Sequence, residues 1–257
     1  ACFVQGSKNA VLPILAASIV CPTETDLLNV PQLSDVEASL AILRQLGCTA
    51  QQQDNDVYID SRIITSNEIP QSMMERMRSS VLFMGALLAR CGEVRMTAPG
   101  GCKLGARPID MHIDAMRALG ASVEESGCEI ICKADKLVGN RIRLPYPSVG
   151  ATENAMIAAC AAQGETVISG AAKEPEIEDL QEYLRKAGAY MNGAGTSAIT
   201  VSGFSAEQHI GHRIMPDRIA AATLLCATAA TGGDVELRGV DFRQFYRLQH
   251  FLKQSGC

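Results

Sequence analysis

Leu46-Gly47-Cys48-Thr49-Ala50 recurs in outline as Leu119-Gly120-Ala121-Ser122-Val123, as Ala187-Gly188-Ala189-Tyr190-Met191 and, cut short, as Ser255-Gly256-Cys257. The glycines stand 73, 68 and 68 residues apart. A glycine just past the last apolar residue of a helical pattern supplies the left-handed residue that ends a helix, and so regular a spacing marks an internal repeat. Working outward from each glycine, the same order of elements returns. An amphipathic helix precedes it (35–46, 110–119, 178–187 and 242–254), and before that an apolar, alanine-rich helix (10–20, 80–90, 154–162 and 218–230) leads into a β-branched strand such as Glu165-Thr166-Val167-Ile168-Ser169. After the glycine the first three units run on into strands, for example 50–53 with 57–60, and 198–202. A helix that is apolar nearly all round must lie inside. The expected fold is therefore α/β, with three such units closing around a common core. The fourth unit stops where its strands should begin, and Cys2-Phe3-Val4-Gln5 reads as the end of a strand.

The chain has 257 residues, 47% hydrophobic and 20% charged, an ordinary globular composition with room for one large or two modest domains. A net charge of -5 argues against a nucleic-acid binder, which needs a basic face. Any anion must therefore be held by local clusters. The most apolar run, 11–21, contains Pro13 and soon meets Pro22, Glu24 and Asp26, so it reads as a buried helix and not a membrane span. The pattern of a secretory leader is not found. Ten cysteines without paired CxxC spacing suggest free buried thiols in a reducing cytoplasm. No metal site and no cofactor is expected.

Four places carry chemistry beyond the repeat. Gly6-Ser7-Lys8-Asn9-Ala10 opens the first apolar helix, where unpaired amides and the helix dipole favour an anion and Lys8 adds a charge. In Met77-Arg78-Ser79-Ser80 an arginine opens the second in the same way, and it needs an acid or a ligand. In the stretch 147–154, Ser148 and Gly150 are shaped for an anion-binding nest, with Thr152 as the expected N-cap. The fourth is the loop Pro99 to Asp110, whose three glycines and two prolines exclude regular structure, and which sets Cys102 beside Lys103 and Arg107. The repeat should aim the three helix starts at one mouth, for a ligand with several negative charges. Asp217 is a plausible helix cap, the acids of 173–179 complement a helix dipole, and His112 is close enough in sequence to contact the loop. His209, His212 and His250 have no acid or nucleophile at a telling spacing.

These motifs, together with Asn29-Val30-Pro31, Glu174-Pro175-Glu176-Ile177 and Pro216-Asp217-Arg218-Ile219, stand in an order that resembles the UDP-N-acetylglucosamine 1-carboxyvinyltransferases, a family of enolpyruvyl transferases, along the whole chain. The resemblance implies an inside-out α/β barrel of three strand-helix-strand-helix-strand units, followed by the first part of a second such domain. Residues 8–216 would be the complete domain, and 1–7 with 217–257 a partial one. It implies transfer of the enolpyruvyl group of phosphoenolpyruvate to the 3-hydroxyl of UDP-N-acetylglucosamine, at the start of peptidoglycan precursor synthesis, in the cytoplasm.

The resemblance makes Cys102 the general acid and the thiol that can add covalently to phosphoenolpyruvate. Lys8, Asn9 and Arg107 would bind phosphoenolpyruvate. Arg78, Arg107, Pro108, Ile109, Asp110, Met111, Ser148, Val149 and Gly150 would bind the nucleotide sugar. Tyr146 stands where some members have lysine, and Ala220 where glutamate is usual. The family's proton-accepting aspartate and further arginines correspond to positions beyond residue 257, so weak binding and poor turnover are expected of residues 1–257 alone. A second chain supplying the remainder, a non-catalytic binding domain and, less well supported by the thiol loop, a 3-phosphoshikimate 1-carboxyvinyltransferase stay open as alternatives.

Overall fold

The structure, a computed structural model, describes residues 1–100, 108–205 and 209–257. It is a mixed α/β fold. Three sheets carry most of the strands. One has the order His209–Arg213, Glu24–Leu28, Asp56–Asp60, Thr49–Gln53; the second Glu93–Thr97, Glu129–Lys133, Ser122–Ser126; the third Ala189–Asn192, Ala198–Phe204, Thr166–Ser169, Arg141–Arg143. Neighbours close in sequence pair antiparallel, as hairpins must. Parallel pairing needs a crossover, and between Arg141–Arg143 and Thr166–Ser169 the helix Val149–Ala159 provides it. The other long parallel ladder joins His209–Arg213 to Glu24–Leu28, so the first sheet is completed by a segment 185 residues later in the chain.

Gly47, Gly120, Gly188 and Gly256 all adopt left-handed backbone, with φ of 102°, 96°, 107° and 88°. At Gly47 a Cβ would also lie 2.5 Å from Thr65 Oγ1 and 2.9 Å from Thr65 N, so packing and backbone both require glycine there.

The helices Lys8–Ala17, Leu82–Cys91 and Val149–Ala159 are the inner ones, buried over Ala10 to Ala17, Leu82 to Leu88 and Ala151 to Ala159. Leu15 and Leu87 are fully buried, and each such side chain contributes roughly 2 kcal/mol through apolar burial. The last two of these helices touch where Gly85 meets Asn154. A Cβ on Gly85 would run into Asn154 Oδ1, and the Gly85 amide donates to that oxygen at 2.9 Å.

Several expected boundaries move. The third inner helix starts at Val149, because Ser148 is the N-cap and its hydroxyl accepts from the Ala151 amide. Thr152 is therefore inside the first turn, donating to Ser148 O at 2.7 Å and accepting from Ala172 N at 3.0 Å. Arg78–Val81 forms a 3-10 turn ahead of Leu82–Cys91, the helix expected at 178 begins at Pro175, and 242–254 divides into a 3-10 turn and the helix Tyr246–Gln254. Asp217 caps its helix as expected, accepting from the amides of Ile219 and Ala220.

One expectation is corrected outright. Arg218–Thr231, read as a fourth inner helix, buries Ala221 alone. Among the described residues Ala221 shares with Val4, Leu237 and Phe245 a small buried cluster, against which Leu225, Val235 and Leu248 are partly buried, apart from the main core of Ala10 to Ile214. Beside that cluster Cys2–Phe3 pairs parallel with Leu237–Arg238, so the strand ending read at the N-terminus is present. The thiols are also less uniformly buried than expected: Cys21, Cys48, Cys132 and Cys160 are buried, while Cys91, Cys128, Cys226 and Cys257 are exposed.

Candidate functional site

The N-terminal ends of the three inner helices open into one cleft of about 620 Å³. Lys8 and Asn9 line it from the first helix, Arg78 and Ser79 from the turn before the second, and Ser148, Val149 and Gly150 from the third. Pro108, Met111 and His112 line it from the start of Asp110–Ala118, and Tyr146 from the segment before Ser148. Ile109 and Asp110 do not line it: Ile109 packs against the main core, and Asp110 is the exposed first residue of its helix. Cys102 and Arg107 lie outside the described residues.

Three helix N-termini aimed at one volume concentrate partial positive charge there. Neither Ser7 nor Val81 caps its helix with a side chain. Two cations reinforce the field. Lys8 is half exposed and pairs with Asp35 at 3.3 Å, so an incoming anion would share the ammonium with a carboxylate. Arg78 reaches Pro108 O at 3.5 Å and so ties the turn before the second inner helix to the end of the loop that carries Cys102.

His112 is buried beneath this cleft. Asn154 orients it: Asn154 Oδ1 accepts from the Gly85 amide, so its Nδ2 is the atom that donates to Val81 O at 3.1 Å and to His112 Nδ1 at 3.0 Å. Nδ1 is then an acceptor and Nε2 carries the hydrogen. Burial first, and the Arg78 charge second, push the imidazole pKa down to about 4. His112 therefore offers the cleft a neutral donor and no charge. A Cβ at Gly150 would lie 3.3 Å from His112 Cε1, which requires a small residue where ring and helix start meet.

Glu153 is the cleft residue that sequence reasoning passed over. It is 4% exposed, and burial, then Glu176 and Glu174, hold its carboxyl well above the usual carboxylate range. Its signal was an acid inside the apolar run 151–159.

Two further pairs were hidden by distance along the chain. His212 Nε2 meets Asp179 Oδ1 at 3.1 Å, with Lys186 Nζ 3.3 Å from Nδ1, and His209 meets Asp26 at 3.3 Å. No spacing in the sequence announced these acids, which strand pairing and helix packing bring to the two histidines. Asp179 Oδ2 also accepts from Met215 N at 3.3 Å, so the couple anchors the segment leading out of the main core.

The geometry suits a ligand with several anionic groups and an uncharged part that can accept from His112. Comparison with known proteins agrees. Over residues 3–257 the chain matches the family model described as EPSP synthase (3-phosphoshikimate 1-carboxyvinyltransferase). It is 44% identical over 254 residues to UDP-N-acetylglucosamine 1-carboxyvinyltransferase 2 of Caldanaerobacter subterraneus subsp. tengcongensis, covering 99% of this chain and 61% of the relative. It is also 44% identical over 257 residues to UDP-N-acetylglucosamine 1-carboxyvinyltransferase 1 of Staphylococcus aureus, covering 98% and 61%. The chain thus spans about 61% of the length of these curated relatives. Among solved structures, the enolpyruvyl transferase NikO from Streptomyces tendae superposes with a TM-score of 0.81 at 21% identity, covering 91% of this chain and 56% of that one. EPSP synthase from Acinetobacter baumannii gives 0.79 at 22%, covering 99% and 59%. Among the described residues no helix is long and apolar enough to cross a membrane.

Proposed function

This chain belongs to the EPSP synthase (3-phosphoshikimate 1-carboxyvinyltransferase) family, and from that premise we propose that the protein transfers the enolpyruvyl group of phosphoenolpyruvate to the 3-hydroxyl of UDP-N-acetylglucosamine, in the cytoplasm, at the start of peptidoglycan precursor synthesis. The observation that carries this reading is the convergence of three helix N-termini with Lys8 and Arg78 on one cleft. A diphosphate, a phosphate and a carboxylate together need that much positive potential. The names of the relatives at 44% identity, and the thiol at Cys102, favour the nucleotide sugar over 3-phosphoshikimate as the acceptor.

In the reaction the sugar hydroxyl adds through its oxygen to C2 of phosphoenolpyruvate, giving its proton to a base, while the methylene carbon gains a proton. Then that carbon loses a proton to a base, the double bond re-forms and the bond from C2 to the phosphate oxygen breaks, releasing phosphate. Cys102 is the proposed acid for the first half. An ordinary thiol, with a pKa of about 8.5, is mostly protonated at neutral pH and can donate. Arg107 would stabilise the thiolate left behind and, with Lys8 and Asn9, hold phosphoenolpyruvate. Arg78, Arg107, Pro108, Met111, Ser148, Val149 and Gly150 would hold the nucleotide sugar, with Ser148 to Gly150 giving it a helix start and Ile109 and Asp110 contributing from beside the cleft lining. We also propose that residues 8–216 form one inside-out barrel of three repeats, and that 1–7 and 217–257 begin a second domain.

The test is phosphate release in the presence of both substrates, together with alkylation of Cys102. Release that disappears in Cys102→Ala, and alkylation slowed by UDP-N-acetylglucosamine, support the reading. Turnover of 3-phosphoshikimate in place of the nucleotide sugar overturns the acceptor, and alkylation indifferent to the nucleotide sugar overturns the placement of the loop over the ligand.

A further inference from the structure

Glu153 has no hydrogen-bond partner for its Oε1 among the described residues, although the residue is 4% exposed and its neighbours along the helix, Thr152 and Asn154, are fully engaged. A buried carboxyl with an unpaired oxygen lowers stability relative to an apolar residue of the same shape, so it calls for a reason. The charges that face it deepen the question. Glu176, from the helix Pro175–Lys186, and Glu174, just before that helix, both disfavour its ionised form. Glu176 is itself held by Arg218, whose guanidinium donates to both of its oxygens. On the other walls of the cleft Lys8 is paired with Asp35, Arg78 reaches Pro108, and neutral His112 is bound to Asn154.

Glu153 lies one turn further along its helix than Val149, as Leu12 does relative to Lys8, and both line the cleft. The cations and free helix ends stand at the mouth, and the floor has an acid backed by two more acids. Anionic groups are favoured at the mouth and repelled at the floor. A protonated carboxyl has one O–H to donate and lone pairs to accept with, which matches a hydroxyl or an amide and not a phosphate.

We propose that Glu153, buried in the wall of the cleft, is a specificity-determining residue that hydrogen-bonds a hydroxyl or amide on the sugar portion of the ligand. The inference rests on the nucleotide-sugar reading of the cleft. Glu153 lines the cleft, and a hydroxyl or amide of the sugar would pair with its carboxyl there.

The experiment is isothermal titration of the chain with UDP-N-acetylglucosamine and, separately, with UDP, for the wild type, Glu153→Gln and Glu153→Leu, with thermal melts of each. Leucine should weaken the nucleotide sugar about tenfold while leaving UDP nearly unchanged, and it should melt no lower than the wild type. Glutamine, neutral with a donor and an acceptor, should bind the nucleotide sugar within about threefold of the wild type. Equal losses for both ligands, a leucine variant with full affinity for the sugar nucleotide or a clearly lower melting temperature, or a glutamine variant as impaired as leucine would each overturn the inference. A wild type that binds UDP-N-acetylglucosamine no better than UDP overturns the nucleotide-sugar reading and this one with it, whereas a sugar preference indifferent to Glu153 overturns this one alone.

Discussion

Arg218 grips both carboxylate oxygens of Glu176, its Nε lying 3.0 Å and 3.3 Å from them and its Nη2 3.1 Å from the second. Glu176 is 2% exposed, and the pair links the otherwise solvated helix Arg218–Thr231 to Pro175–Lys186 on the main core. Arg218→Ala strands a buried carboxylate and should cost about 3 kcal/mol in urea denaturation. Arg218→Lys should recover only part of that, because an ammonium does not reproduce the two-pronged geometry. A silent alanine variant would show that the pair is dispensable.

Gly85 is expected to tolerate no side chain. A Cβ there would run into Asn154 Oδ1 and sit 2.7 Å from the Asn154 carbonyl oxygen, forcing apart two helices that line the core. Overpacking of this kind costs roughly 1–3 kcal/mol, and the glycine amide would lose its bond to Asn154. Gly85→Ala should therefore lower the urea midpoint even though alanine is the better helix former.

The protonation of His112 sets a pH dependence. Its pKa is about 4 in the folded chain against 6.5 for a free imidazole, so between those values the unfolded chain binds the extra proton. Stability conferred by the neutral ring is present in full above pH 6.5 and falls as the pH drops toward 4, by an amount on the order of 3 kcal/mol. Melting temperatures of wild type and His112→Gln, compared from pH 7 to pH 4.5, should converge at the acid end. Parallel curves would contradict this.

Thiol reactivity should divide along the lines of burial. Burial pushes Cys48 and Cys132 up to about 11 and Cys160 up to about 12, so at pH 8 these three have almost no thiolate to react. Brief iodoacetamide treatment followed by peptide mass spectrometry should label the exposed Cys128, Cys226 and Cys257 well before Cys48, Cys132 and Cys160. Early labelling of Cys160 in native protein would place that helix closer to solvent than described here.

Lys8 is the cation most open to an incoming anion, half exposed at the mouth of the cleft. A charge-assisted bond of this kind contributes about 1.5–3 kcal/mol, so Lys8→Ala should weaken phosphoenolpyruvate about tenfold to a hundredfold in titration, and less so at high salt. Asp35→Asn, which frees the ammonium from its partner, should shift affinity the other way.

The glycines at 47, 120, 188 and 256 were legible because a left-handed helix end has few chemical solutions, and the apolar helices because burial on every side leaves no polar stripe. The convergence of Lys8, Arg78 and Ser148 was legible because each stands at the start of an apolar helix. Thr152 misled because a threonine near a helix start has two good uses, capping and bonding back to the preceding turn, and Ser148 already held the first. The pairing of His212 with Asp179 could not be read locally, because it depends on which strand lies beside Glu24–Leu28. Arg218–Thr231 looked like a core helix for a sound reason, but hydrophobicity records what a helix can cover and not what is there to cover it.

The ladder between Glu24–Leu28 and His209–Arg213 has a consequence for the birth of the protein. With synthesis at roughly 5–20 residues per second, the early strand waits on the order of ten seconds or more for its parallel neighbour. Throughout that interval Glu24–Leu28 has one bare edge, and the His212 to Asp179 contact that anchors the closing strand does not yet exist. Co-translational folding must proceed with an open seam, and the seam is the natural place for a chaperone to hold or for two nascent chains to exchange strands.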